Sequence, residues 1–278
     1  MYKRQTLDGR VYVFDQVGNL VWWRWAYYSR VNSVSVSSDG KYVAVGSGSV
    51  MVFKYDGSLL WRTSTSDESS SVSISADGRY VAAGTTGRHL YFYNRSGELW
   101  NYELPGSVRS VSVSSRGRYV AAISRNLEGE NIYLFSRSGT LLWSKHVRGL
   151  PYQIDMSLTG QYIAVASSYD VMLFNNGGGL LWNRSMESRC ISISSDGAYV
   201  VAGRKTEPYC IVLFNRYGKR LWRYNVPSLW QVVISSDGNY VAAAINTEVC
   251  LFAPSPTPSP TPSPTPSPTP SPTPSPTP

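Results

Sequence analysis

Two phrases alternate along this sequence with a period near 40 residues, and that period limits the fold more than any other feature. The first phrase is an alternating strand, a turn and a second strand, as in Val34-Ser-Val-Ser-Ser-Asp39-Gly40-Lys-Tyr42-Val-Ala-Val. It returns around Asp77-Gly78, Arg116-Gly117, Thr159-Gly160, Asp196-Gly197 and Asp237-Gly238, with successive glycines 38, 39, 43, 37 and 41 residues apart. The second phrase is an aromatic strand, a glycine turn and a tryptophan strand, as in Val50-Met-Val-Phe53-Lys-Tyr-Asp-Gly57-Ser-Leu-Leu-Trp61. Its copies end at Trp22, Trp61, Trp100, Trp143, Trp182 and Trp222, and a further copy begins at Val249-Cys-Leu-Phe252. Each unit therefore holds four short strands, A to D. Asp bonds its own turn backbone and Gly accepts a positive φ, so the A–B and C–D connections are tight turns. Dense β-branched and aromatic residues without a 3.6-residue period exclude helical repeats. Four-stranded units of this length predict a β-propeller.

The chain opens in a C strand, Val11-Tyr-Val-Phe14, and a D strand through Trp22. Five complete blades follow, with A strands starting near Val34, Val72, Val111, Ile154 and Ile191. The last blade has A near Val232, B near Tyr240 and C at Val249 to Phe252, and no D strand. The expectation is an all-β propeller over residues 6–253, with five complete blades and two partial ones. An upstream segment would complete seven blades in a longer protein, of which this chain is read as an interior fragment. Met1-Tyr2-Lys3-Arg4-Gln5 matches the translation of a transposon end used in preparing sequencing libraries, and is set outside the fold. Residues 254–278 are an unbroken Pro-Ser-Pro-Thr alternation. Such a tail is disordered and extended, at about 3.1 Å per residue or roughly 80 Å in all.

Few groups carry chemistry. The tryptophans hold one place in every D strand and are expected to dock one blade on the next. The two histidines, His89 and His146, stand in different blades with no carboxylate or cysteine at ligand spacing, so no metal site is expected. No catalytic set and no cofactor site can be named. Cys190, Cys210 and Cys250 are odd in number and late in the chain, which suits buried free thiols better than a disulfide framework. Asp155 departs from its repeat position, which is Ser35, Ser73, Ser112, Ser192 and Val233 elsewhere. A strands line the channel of a propeller, so Asp155 either meets a ligand there or is a polar substitution satisfied by nearby donors.

The Gly-x-Leu-Leu-Trp endings at Gly57 to Trp61, Gly139 to Trp143 and Gly178 to Trp182 resemble the tryptophan-docking repeat of quinoprotein-like propellers. The Ser-x-Asp-Gly-x-Tyr-Val-Ala phrase resembles WD-repeat-like propellers of prokaryotic surface proteins. The resemblance covers residues 10–252 and implies the fold. A quinoprotein dehydrogenase would need a cofactor platform, a metal-binding carboxylate cluster and a catalytic Asp, and no residues here match them.

Aligning the repeats to each other shows where they vary. The A–B and C–D turns are nearly uniform, whereas the D–A and B–C loops differ in every blade. Strand direction alternates, so those two loop sets share one face. Just before strand A the units carry Asn32, Ser70, Arg109, Tyr152, Arg189 and Trp230. The longest B–C loops, Ser124 to Asn131 and Gly203 to Tyr209, add Arg125, Arg204 and Tyr209. Arg, Tyr and Trp bind polymers and proteins through stacking and forked hydrogen bonds. The variable loops hold ten basic and nine acidic residues, too balanced for a surface that tracks phosphates, although the whole chain carries +8. The expected partner is protein or glycan, with no nucleic acid. No run of about 18 apolar residues exists, so direct membrane insertion is not expected of this chain.

The tail suits an O-glycosylated stalk, and Asn94-Arg-Ser and Asn183-Arg-Ser fit N-glycosylation sequons. The expected function is a monomeric, non-enzymatic binding head, extracellular or displayed at the cell surface. The alternatives are a quinoprotein-like oxidoreductase and the sensor or scaffold head of a signalling protein.

Overall fold

The computed structural model describes residues 3–5, 9–15, 17–26, 30–125 and 131–253. The stalk, the first two residues and positions 126–130 of the longest B–C loop lie outside them. Every described element is a strand or a turn, and the strands form seven antiparallel sheets in chain order. Five are complete four-stranded meanders: blade 2 (residues 33–64), blade 3 (69–103), blade 4 (107–145), blade 5 (151–185) and blade 6 (190–225). Blade 7 (231–252) has three strands, A to C. Blade 1 also has three: Arg10–Phe14 and Leu20–Trp25 are its C and D strands, and Lys3–Gln5 pairs with the C strand. The opening residues set outside the fold in the sequence thus sit at a B-strand position. Main-chain pairing tolerates any extended segment, and an open sheet edge offers the bonds.

Burial explains the sequence pattern. The B and C strands of blades 2 to 6 are buried on both faces, because each blade is packed between two others. They therefore read as continuous apolar runs, such as Tyr42–Gly46 and Cys210–Ile211-Val-Leu-Phe-Asn215, instead of alternating. The D strands form the outer edges and are largely exposed, apart from their tryptophans.

The seams between blades repeat one design. Each periodic tryptophan packs on an aromatic ring in the next C strand: Trp22 on Phe53, Trp61 on Tyr93, Trp100 on Phe135, Trp143 on Phe174, Trp182 on Phe214 and Trp222 on Phe252, with centroids 5.6–6.2 Å apart. Four of the six also lie on the glycine of the next C–D turn and donate their indole N–H to the carbonyl two residues before it. Trp22 donates to Tyr55, Trp100 to Arg137, Trp143 to Asn176 and Trp182 to Arg216, at 2.8–2.9 Å. A Cβ on Gly57 would stand 2.9 Å from Trp22, so only glycine lets the ring approach. Trp61 departs from this. The blade 3 hairpin is one residue shorter after Gly97, and Gly97 has open space around it.

A second knob is the tyrosine that opens each B strand. Tyr42, Tyr80, Tyr119, Tyr162 and Tyr199 lie on the glycine of the next A–B turn, respectively Gly78, Gly117, Gly160, Gly197 and Gly238. Three of those rings are capped by an arginine from the next C–D turn, Arg95 on Tyr42, Arg137 on Tyr80 and Arg216 on Tyr162, at 4.6–4.9 Å. The turn itself is held by its own side chains. In blade 2 the Ser37 hydroxyl donates to Asp39 at 2.6 Å and accepts the Tyr42 N–H, while Asp39 accepts the Lys41 N–H.

Candidate functional site

Adjacent A strands are too far apart to share a β ladder, and side chains fill the gap. Ser33 and Ser35 of blade 2 accept main-chain N–H groups of Val72 and Ile74 in blade 3. Ser71 and Ser73 do the same for Val111 and Val113, and Ser110 for Ile154. At blade 5 the serines give way to longer acceptors. Gln153 takes the Ile191 N–H, and Asp155 takes the Ile193 N–H at 3.0 Å.

Asp155 is the most connected polar side chain on this inner ring. One carboxylate oxygen accepts from Met156 N at 2.9 Å and Ser112 Oγ at 3.3 Å, the other from Ile193 N and from Ser192 Oγ at 3.2 Å. It therefore staples blades 4, 5 and 6. Burial away from bulk water nevertheless pushes its pKa up, against the pull of those four donors. Four donors occupy the lone pairs a cation would need, so Asp155 is a satisfied substitution in this structure. Among the described residues no group of three His, Cys, Asp or Glu side chains could hold a metal ion.

The residues singled out on the variable loops are placed by local backbone geometry. The A strands of blades 3, 4 and 5 each begin with a register shift, at Ser69/Ser71, Val108/Ser110 and Pro151/Gln153. The extra residue of each bulge is Ser70, Arg109 or Tyr152. A bulge leaves its residue unpaired and re-aims the side chain, and Arg109 is exposed at the strand's edge. In blades 6 and 7 the corresponding Arg189 and Trp230 precede the A strand, their N–H groups bonded to Gly203 and Ala244.

Three of these residues meet. The Arg189 guanidinium lies over the Tyr152 ring at 5.0 Å and pairs with Glu187 at 3.3 Å. Glu187 also accepts from Thr206 at 2.7 Å, and Thr206 accepts from Arg204 at 3.2 Å. Tyr152, Arg189 and Arg204 thus form one chain across the blade 5–6 seam, with Glu187 and Thr206 as links the sequence did not single out. Beside it, Gln153 accepts from Gln231 at 3.3 Å, joining blades 5 and 7 across blade 6. Trp230 is 66% exposed next to that contact. Arg125 is exposed at the end of its B strand.

Tyr209 belongs elsewhere. It packs into the apolar cluster of Val226 and Leu229, as a wall of the seam. Asn94 lies in a C–D turn with its Oδ1 accepting the Ser96 N–H, and Asn183 is exposed on a D strand. Cys190 and Cys210 are buried free thiols, and Cys250 is half-buried.

Residues 23–172 match the family of unknown function DUF5711. The chain belongs to this family. No curated protein matches the sequence. Matches among solved structures run to 1690 chains, a breadth that fits a fold hosting many functions. One is the β-propeller domain of Cps50 (Swd1) from Myceliophteria thermophila, with a TM-score of 0.75 and 13% identity over 90% of this chain and 91% of that one. The architecture of this DUF5711 member is therefore a β-propeller, and at that identity the likeness carries the fold alone.

Proposed function

We propose that the protein is a non-enzymatic binding head that engages a protein or glycan through its variable face. On this reading it acts as a monomer, carried outside the cell on the Pro-Ser-Thr stalk. The observation that carries the reading is the Tyr152–Arg189–Glu187–Thr206–Arg204 chain beside an exposed Trp230. Arg189 is held by a carboxylate and a ring, so little rotamer freedom is lost when it binds. Aromatic and guanidinium groups fixed in this way are the residue types that dominate interfaces. Elsewhere the same serine and turn chemistry repeats from blade to blade, as expected of a scaffold.

The test is a fourfold variant, Arg109→Ala, Tyr152→Ala, Arg189→Ala and Trp230→Ala. The wild-type head is first screened against a glycan array and against purified surface proteins of its source. The variant should keep its melting temperature within a few degrees and lose at least tenfold in affinity for whatever the wild type binds. Unchanged affinity in a folded variant refutes the face assignment.

A further inference from the structure

The opposite face, made of the uniform turns, has one sector that breaks the repeat. In blades 2 and 3 the turn cation sits beside a turn carboxylate: Lys41 lies 3.5 Å from Asp39, and Arg79 lies 3.9 Å from Asp77. In blade 4, Arg116 stands where four other blades have Asp, Arg118 follows it, and the C–D turn reads Ser136-Arg137-Ser138. The neighbouring turns of blade 5, around Thr159-Gly160-Gln161 and Asn175-Asn176, carry no charge.

Arg118 and Arg137 border an open groove of about 800 Å³ between blades 3 and 4. Its walls are Tyr80, Tyr119, Leu99 and Leu142, and its cations are Arg118 and Arg137. Both leucines are more than 40% exposed. Arg137 stacks on Tyr80 and spends two of its five N–H groups on the carbonyls of Gly117 and Arg116. Three N–H groups remain. Arg118 rests over Tyr119 at 5.3 Å and has no carboxylate within ion-pair distance among the described residues. The adjacent acid, Glu98, precedes Leu99 on a strand, where successive side chains face opposite ways. It accepts from Asn101 at 2.6 Å and acts on Tyr93, in the seam between blades 2 and 3. Ser136 and Ser138 line the groove and add hydroxyls.

The blade 5–6 seam is an internal control. Arg216 caps Tyr162 and bonds the carbonyls of Gly197 and Asp196 just as Arg137 does at its own turn. There the turn keeps Asp196, and Ala198 stands where blade 4 has Arg118. The arginine clasp thus recurs, whereas blade 4 alone combines an arginine after the turn glycine with the loss of the turn acid: blade 3 keeps Asp77 beside Arg79, blade 5 has neither charge, and the blade 6 turn packs with Ala198 in place of Arg118.

We propose that this groove binds a phosphate monoester carried on an aromatic or apolar body. The dianion lies against Arg118 and Arg137, whose forked donors suit phosphate oxygens. The body lies on Tyr119 and the two leucines. Two guanidinia without a carboxylate match a double negative charge, whereas a monoanionic carboxylate ligand would neutralise only one of them.

Phenyl phosphate, inorganic phosphate and phenol titrated into the full chain by calorimetry or NMR test the assignment. Phenyl phosphate should saturate a single site and bind more tightly than either of the other two. Arg118→Gln should weaken it roughly tenfold, the scale of one charge-assisted hydrogen bond, with an unchanged melting temperature. Leu142→Ser should weaken phenyl phosphate while leaving inorganic phosphate unaltered. Arg79→Gln, which removes an arginine already paired with Asp77, should have no effect. Absence of saturation, or equal losses from Arg79→Gln and Arg118→Gln, would mean a diffuse positive surface and overturn the proposal.

Discussion

Gly40 and Gly197 close identical Ser-Ser-Asp-Gly turns with the same φ of 69°. They differ in what surrounds them. A Cβ at Gly40 would meet nothing within 4 Å, whereas one at Gly197 would stand 2.3 Å from the Tyr162 ring. The ring is also held by Arg216, which lies over it at 4.9 Å while bonding Asp196 O at 2.7 Å and Gly197 O at 3.2 Å. Alanine at either site bears the backbone cost of a left-handed L-residue, about 1–2 kcal/mol. At Gly197 it adds overpacking of a well-filled seam, about 1–3 kcal/mol. Gly40→Ala should therefore lose about 1–2 kcal/mol and Gly197→Ala about 2–5 kcal/mol. Urea unfolding followed by tryptophan fluorescence measures both, with m required to stay constant so that midpoints report stability. The difference between the two variants isolates the tyrosine knob from backbone strain. Equal losses would show that the glycines are kept for φ alone, and the docking account of the seams would fail.

Asp155 gives a prediction about pH. Its pKa is raised in the fold, so its contribution to stability is present below the unfolded value near 4 and is lost as pH rises through the folded value. Asp155→Ser restores the residue found in blades 2, 3, 4 and 6 and removes the titration. The variant should gain melting temperature relative to wild type between pH 4 and pH 8, and an opposite trend would refute the assignment. The thiols should also separate. Burial pushes the Cys190 thiol up to about 11, whereas Cys250 is half-buried on the C strand of blade 7. Iodoacetamide at pH 8 should alkylate Cys250 first in the native protein and leave Cys190 intact until urea is added. Peptide mapping that finds Cys190 modified first would contradict the packing of blade 6.

How much of this was legible in the sequence depends on the range of each interaction. The Ser-x-Asp-Gly turn is a local object, and its residue types alone dictate it. The strands followed from period and composition, since a blade packed on both sides must have apolar B and C strands. The partners of the knobs lie in the next blade, so neither the Tyr162–Gly197 contact nor the Arg216 cap could be read from one repeat. A strong hint was present all the same: tyrosine, glycine and arginine recur in fixed phase. The candidate face was legible as a set of positions and not as a site. Nothing in Arg109 or Tyr152 announces a bulge, because bulging depends on the partner strand's register. Glu187 and Thr206 read as ordinary loop residues in the sequence, and the fold sets them between Arg189 and Arg204.

The seams also explain why blades 1 and 7 differ from the rest in exposure. Tyr240 is 49% exposed, although its counterparts are half-buried, because no A–B turn glycine lies against it among the described residues. Gly18 and Gly40 show the complementary condition, as turn glycines at positive φ with no ring in contact. Val249 and Leu251, each 66% exposed, continue the same surface, and their equivalents in the inner blades are buried. Knob and slot therefore behave as separable halves of one contact. Glycine at positive φ persists where no ring fills it, which places the turn's conformation in its own Ser-Asp-Gly chemistry. The ring then adds packing to a turn already formed, so interior seams gain stability blade by blade, as nearest-neighbour coupling in a repeat array requires.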